Sequence, residues 1–180
     1  VFSGGFNNGG TISASAISAS NTAQALAVVL NFLTFTGAIV NSGLITATAT
    51  ATTLTRAIAC GLALNGDTLA GSVSNAGTIT VSASANNTFA VANGITISGN
   101  VAGLTSLGIS NSGTILATAN ANAAADAAAA LGLNVGVGTL LGGITNSGTI
   151  IARAGDRLHC GFAVGVYLTA SSLGGGLVNS

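Results

Sequence analysis

The chain has 180 residues, of which only 3 are Lys or Arg and 3 are Asp or Glu, so 3% are charged and the net charge is zero. Soluble domains usually have about a quarter charged residues. A neutral chain offers no basic surface for nucleic acid or an anionic membrane, and Ser, Thr, Asn and Gly interrupt the apolar runs well short of a membrane span, which needs about 20 residues. We therefore expect neither nucleic acid as a partner nor a transmembrane helix.

One motif recurs along the whole chain. It reads NNGGTISASA in the first copy and NSGTIIARA in the last complete one, and its Asn residues are spaced by 33, 34, 36, 35 and 33 residues. A nearly constant period is typical of a repeat array rather than of separate domains. We interpret residues 1–180 as one repeat domain with origins at Asn8, Asn41, Asn75, Asn111, Asn146 and Asn179.

The residues that follow each Asn alternate between apolar and polar side chains. An Ile stands four places after the Asn in every complete copy, and small residues such as Ala47 and Ala49 follow at the sixth and eighth places, with mostly Thr, Ser or Asn between them. Strict alternation indicates a strand with one buried face. The isoleucines are therefore predicted core residues: Ile12, Ile45, Ile79, Ile115 and Ile150.

Two further strand patterns complete each repeat. The segments ACGLALNG, VANGITISG, LGLNVGVG and CGFAVGVYL indicate a second strand, and the GxIxN stretch before each origin indicates a third. One repeat cannot bury its apolar side alone, whereas stacked copies can. We predict an all-β parallel β-helix, or β-solenoid, with about five coils of 33–36 residues and three short strands per coil. Two coils of about 17 residues per repeat are the alternative.

Residues 121–131, ANAAADAAAAL, form the only stretch with strong helix propensity. Their context within the repeat array argues against a helix.

Each repeat Asn has two candidate roles. The backbone must turn sharply before the TIxAxA strand, and Asn and Gly tolerate the left-handed φ and ψ angles of such turns. In stacked coils the Asn amides can also hydrogen-bond to one another in a ladder parallel to the axis. We expect the ladder, because Ser and Gly alone would make the turn; the alternative is that Asn serves only as a turn residue.

The GxIxNSGTIxAxA pattern resembles the passenger and haemagglutinin-type repeats of secreted bacterial β-helix proteins, including autotransporter adhesins. The resemblance covers essentially the whole chain. It implies a right-handed parallel β-helix at the cell surface or in an extracellular assembly. The chain departs from the pattern of a free soluble passenger in having no Lys and no Glu.

Groups that could support catalysis are few. Asp67, Asp126 and Asp156 lie at different distances from their repeat origins, so stacking does not pair their carboxylates as acid–base or metal-assisted hydrolysis requires. His159 and Cys160 are adjacent and would point to opposite faces of a strand, so we interpret ARAGDRLHC as a solvated turn with an Arg–Asp contact. We predict no enzyme, no cofactor and no metal site.

The two cysteines occupy matching places in their repeats. Cys60 and Cys160 each precede a Gly in the second strand, three coils apart. That is about 14 Å along the axis, beyond the about 7 Å that a disulfide spans. We predict no bond between them within one chain; either both are buried, or one links two subunits.

The ends of the sequence show no polar cap and no charged edge, the features that prevent association of repeat proteins and sheets. Head-to-tail stacking need not close and then gives a filament. We predict a secreted structural subunit of an extracellular filament or surface fibre whose main partner is another copy of itself. The alternatives are an adhesin or passenger segment that binds a surface or glycan, an ice-binding solenoid with Thr46, Thr48 and Thr50 on its face, and a polysaccharide-active enzyme.

Overall fold

The fold is a stack of parallel β-strands. The structure, a computed structural model, describes residues 1–53, 56–86, 88–99, 108–122, 127–156 and 161–180. No helix occurs in these ranges, and their parallel strands wind into a β-solenoid of about five turns. The predicted all-β solenoid is therefore confirmed.

The strands belong to two sheets, one of ten strands and one of five. Their bounds are β1 Phe2–Ser3, β2 Phe6–Asn8, β3 Thr11–Ser18, β4 Ala23–Asn41, β5 Leu44–Ala51, β6 Ala57–Asn75, β7 Thr78–Ala85, β8 Ala90–Gly99, β9 Gly108–Asn111, β10 Thr114–Ala121, β11 Ala128–Leu140, β12 Ile144–Asn146, β13 Thr149–Asp156, β14 Phe162–Leu173 and β15 Leu177–Asn179.

The five-stranded sheet contains the TIxAxA strands in the order β13-β10-β7-β5-β3. Each strand has 8 residues, and equivalent positions of successive repeats are paired, for example Ile45 with Ile79 and Ile79 with Ile115. One repeat therefore makes one coil. The alternative of two coils per repeat is wrong, because each strand pairs with its counterpart a whole repeat away.

The ten-stranded sheet contains the second and third segments of each repeat. The expectation of three short strands per coil fits the later coils, but in β4 and β6 the two segments form one strand of 19 residues. The corner glycines differ in place along the chain. Gly37 and Gly71, with φ of 141° and 152°, lie within β4 and β6, whereas Gly143 and Gly176, with φ of 69° and 72°, lie outside the strands at breaks before β12 and β15.

The core is a narrow column of aliphatic side chains between the sheets. Ile45, Ile79 and Ile115 are at most 1% exposed, and alanines lie beside them along each strand. Ile12 and Ile150 are only partly buried, because β3 and β13 are the edge strands and have a neighbouring coil on one side only.

A column of glycines makes room for the isoleucines. A Cβ atom on Gly61, Gly94 or Gly132 would lie 2.6, 2.4 or 2.3 Å from the Cγ2 atom of an isoleucine in the facing sheet. The isoleucines are Ile79, Ile115 and Ile150 respectively. Each isoleucine thus fills the space that a side chain on the second segment would need, which fixes the distance between the two sheets.

The glycine of the Asn-Ser-Gly turn has a different role from the one predicted. Among the described residues no non-glycine has positive φ, and the positive-φ glycines are Gly4, Gly37, Gly71, Gly143 and Gly176, none of them in this turn. The expected left-handed turn is therefore wrong. A Cβ atom on Gly77 or Gly113 would lie 2.1 or 2.0 Å from the carbonyl oxygen of the turn glycine one coil away, so glycine is required here by the close approach of stacked backbones.

The described ends of the Ala-rich segment lie in strands. Ala121 ends β10 and Ala128 begins β11, while residues 123–126 lie outside the described ranges.

The glycine column can be tested with Gly94→Ala. We expect a loss of about 1–3 kcal/mol in the free energy of unfolding, the usual cost of overpacking, because the new Cβ would meet both Ile115 and the Gly132 carbonyl oxygen at 2.4 Å. The measurement is equilibrium unfolding in guanidinium chloride. Gly136→Ala is the matched control, since nothing lies within 4 Å of the position that its Cβ atom would occupy; an equal loss in both variants would contradict the packing explanation.

Candidate functional site

The six repeat asparagines form one continuous hydrogen-bonded ladder. The Nδ2 atom of each donates to the Oδ1 atom of the next, at 2.7 Å in all five bonds. The ladder runs in order through Asn8, Asn41, Asn75, Asn111, Asn146 and Asn179. Asn8 to Asn146 are 1–7% exposed, so the ladder is buried except at its last member.

Backbone contacts hold each ladder amide in place. Nδ2 of Asn75 also donates to the carbonyl oxygens of Gly77, at 3.3 Å, and of Thr114 in the next coil, at 3.4 Å. The main-chain carbonyl oxygen of Asn75 accepts the N–H groups of Ser112 and Gly113 from that coil. The side chain and the backbone of one residue thus join two turns, which satisfies polar groups that would otherwise be buried without a partner.

The ladder has a direction. Every amide donates toward the asparagine of higher number, and all strands of the solenoid are parallel. A further coil of the same repeat would extend the ladder only in the same orientation, because the opposite orientation would place like groups against each other.

In the two end coils, core residues are partly exposed to solvent. β3 and β13 are the edge strands of the five-stranded sheet. Inward-facing residues of both end coils are only partly buried, whereas their equivalents in the middle coils are fully buried. At the first coil these are Ile12, Ala14 and Ala16, and at the last they are Ile150, Ala152, Ala154, Val166 and Leu168. Each end face therefore combines an unpaired strand edge with exposed core, which is the surface that every middle coil covers with its neighbour.

The described residues contain no cluster of potential metal ligands. No group of three or more His, Cys, Asp or Glu residues that could hold a metal ion occurs among them. Asp67 is exposed in β6 and Asp156 is the last residue of β13. Asp126, Arg157, His159 and Cys160 lie outside the described residues.

Cys60 is a buried free thiol. Burial raises the pKa of this thiol, and its hydrogen bond to the Thr96 hydroxyl, at 3.9 Å, lowers the pKa in part. The thiolate is the reactive form of cysteine, so Cys60 is poorly suited to act as a nucleophile.

A second, exposed polar ladder was not predicted from the sequence. Asn65 donates to Oδ1 of Asn31 at 2.9 Å, and its own Oδ1 accepts from the Ser98 hydroxyl at 2.6 Å. The signal was present in the sequence, because these polar residues occupy equivalent places in three successive repeats.

A search of the described residues for a helix long and apolar enough to span a bilayer found none.

The buried ladder can be tested with Asn75→Ala. The substitution removes the acceptor of the Asn41 amide and the donor to Asn111 Oδ1, so we expect a loss of about 2–4 kcal/mol in the free energy of unfolding. Asn65→Ala, in the same strand but in the exposed ladder, should cost no more than about 0.5 kcal/mol. Equilibrium denaturation of both variants is the measurement, and similar losses would show that burial of the ladder contributes nothing.

Comparison with known proteins gave no match. No family model matches the chain, and neither a curated protein nor a solved structure is detectably similar to it. The function of the chain is therefore inferred from its own fold, ladder and surfaces.

Proposed function

We propose that the chain is a structural subunit of an extracellular fibre, in which the solenoid of one copy stacks head to tail on the solenoid of the next. The observation that carries this proposal is the repeated register. Each middle coil is paired with the coil on either side of it, through both sheets and through the Asn ladder. At the two ends the edges of β3 and β13 are unpaired, and Asn179, the last member of the ladder, is exposed. The low charge supports the proposal, since almost no electrostatic repulsion opposes association.

The remaining parts of the proposal follow from the composition and the repeats. The scattered acidic residues support a role other than catalysis, and we propose no cofactor. The net charge of zero supports a function without nucleic acid, and the interrupted apolar runs support one without a membrane span. The extracellular setting is proposed from the resemblance of the repeats to secreted bacterial β-helix proteins.

A second candidate function is an adhesive segment that binds a surface or glycan. It is favoured by the outer side of the five-stranded sheet, where Ser15, Thr48, Ser82 and Thr118 lie in register. Such a row presents hydroxyl groups at the regular spacing of the coils, about 4.8 Å.

Ser15→Pro tests the stacking. The carbonyl oxygens of Gly10 and Ser18 accept hydrogen bonds from the neighbouring coil, and backbone groups alternate in direction along a strand, so Ser15 directs its N–H to the unpaired edge of β3. Proline removes that N–H and blocks the edge while keeping the pairing with β5. We expect filaments by electron microscopy for the original chain and for the control Ser15→Ala, and single solenoids with unchanged circular dichroism for Ser15→Pro. An original chain that stays single at high concentration would refute the proposal.

A further inference from the structure

A cavity of about 180 Å³ lies beside the middle of β4. It is lined by Phe2, Val29, Leu30, Asn31, Phe32 and Phe35. Three of the six phenylalanines of the chain are among these residues, although the buried core elsewhere consists mainly of alanine, isoleucine, leucine and valine. The concentration of aromatic rings therefore distinguishes this cavity from the rest of the solenoid.

The three aromatic rings pack against one another. The rings of Phe2 and Phe35 are stacked, with centroids 5.1 Å apart and planes 8° apart. The Phe32 ring is tilted by 47° to the Phe35 ring, at a centroid distance of 5.4 Å. A Cβ atom on Gly66 would lie 2.3 Å from two carbon atoms of the Phe32 ring, so this ring rests on the backbone of β6. Phe35 is 1% exposed and Phe2 is 44% exposed, so Phe35 forms the floor of the cavity and Phe2 its rim.

The cavity lies on the side of β4 that faces away from β6. None of its lining residues belongs to β6, and the part of β4 before Phe35 pairs with β6 only. No charged side chain lines the cavity, and Asn31 is the one polar residue in the lining. Its Oδ1 atom accepts a hydrogen bond from Asn65 at 2.9 Å. Its Nδ2 atom has no acceptor among the described residues, so it can donate to a ligand.

We propose that this cavity binds a small molecule with one uncharged aromatic ring. In another protein an apolar cavity of about 150 Å³ takes up benzene, so a cavity of about 180 Å³ accommodates a benzene ring with a small substituent. Aromatic walls favour an aromatic ring over a saturated ring of the same size, because stacked and edge-to-face contacts add to the burial of apolar area. An uncharged ligand fits, since no charged side chain is present to replace the water around an ion.

The size of the cavity favours a free compound over a larger ligand. Drug-sized molecules occupy pockets of about 300–1,000 Å³, and this cavity is smaller. A ligand with so few atoms binds weakly, and we expect a dissociation constant of about 1 mM. A hydroxyl group on the substituent can accept a hydrogen bond from Nδ2 of Asn31, so benzyl alcohol is a suitable probe.

The test measures binding of benzyl alcohol to the chain in dilute solution by saturation-transfer NMR. Phe2→Ala removes one aromatic wall and should weaken binding by about five- to ten-fold. Phe89→Ala is the matched control and should leave binding unchanged, because Phe89 is similarly exposed, at 50%, and does not line the cavity. If Phe2→Ala fails to fold, Val29→Trp replaces it: the larger side chain at the rim should fill the cavity and abolish binding.

A second measurement locates the ligand. In two-dimensional amide NMR spectra, benzyl alcohol should shift the side-chain amide signals of Asn31. The side-chain amide signals of Asn120, which lies in β10 of the other sheet, should stay unchanged.

Several outcomes would overturn the proposal. They are the absence of saturation transfer at about 10 mM benzyl alcohol, ten times the expected dissociation constant, equal weakening by Phe2→Ala and Phe89→Ala, and equal binding of cyclohexylmethanol, which has a saturated ring. Much tighter binding of N-acetylphenylalanine amide would assign the cavity to a side chain of another protein instead. The cavity belongs to a single solenoid, so a chain that binds the ring without forming filaments would refute only the proposed function.

Discussion

Hydrogen bonding between adjacent coils is the constraint on which the rest of the structure depends. Parallel strands, the turn backbone and the Asn ladder all bond along the solenoid axis, so every coil must keep the same spacing of about 4.8 Å from the next. The amide of Asn75 bonds to Asn111 at 2.7 Å, and the turn glycines leave no room for a Cβ atom between coils. A larger residue at either position would separate the turns, and the sheets on both sides would lose their register.

The same constraint gives the molecule two kinds of surface. The ends have the unpaired edges of β3 and β13, with partly buried core residues such as Ile12 and Ile150 beside them. The walls have their backbone groups paired, so their properties come from side chains alone, among them the hydroxyl rows on the outer side of the five-stranded sheet. If copies stack as we propose, their association has the direction of the Asn ladder.

Much of the fold could be predicted from the sequence because the repeat is regular. The period of 33–36 residues was sufficient to predict the length of a coil. The alternation around Ile45, Ile79 and Ile115 was sufficient to predict which face of each strand is buried. The turn was predicted less well. Gly in an Asn-Ser-Gly sequence suggests a left-handed turn from local preference, but its local backbone is ordinary, and the requirement for Gly comes from a carbonyl oxygen one coil away. Local patterns carry no information about such an approach between coils.

The sequence by itself determined that the chain is a stack of like coils, which positions face inward and that catalytic groups are sparse, because these properties are set by period and composition. Only the tertiary structure decided that Gly61, Gly94 and Gly132 receive the isoleucines of the facing sheet, and that a carbonyl oxygen of the neighbouring coil requires glycine in each turn. These features depend on contacts between residues at least 18 positions apart, and only the register of the stacked coils brings such residues together.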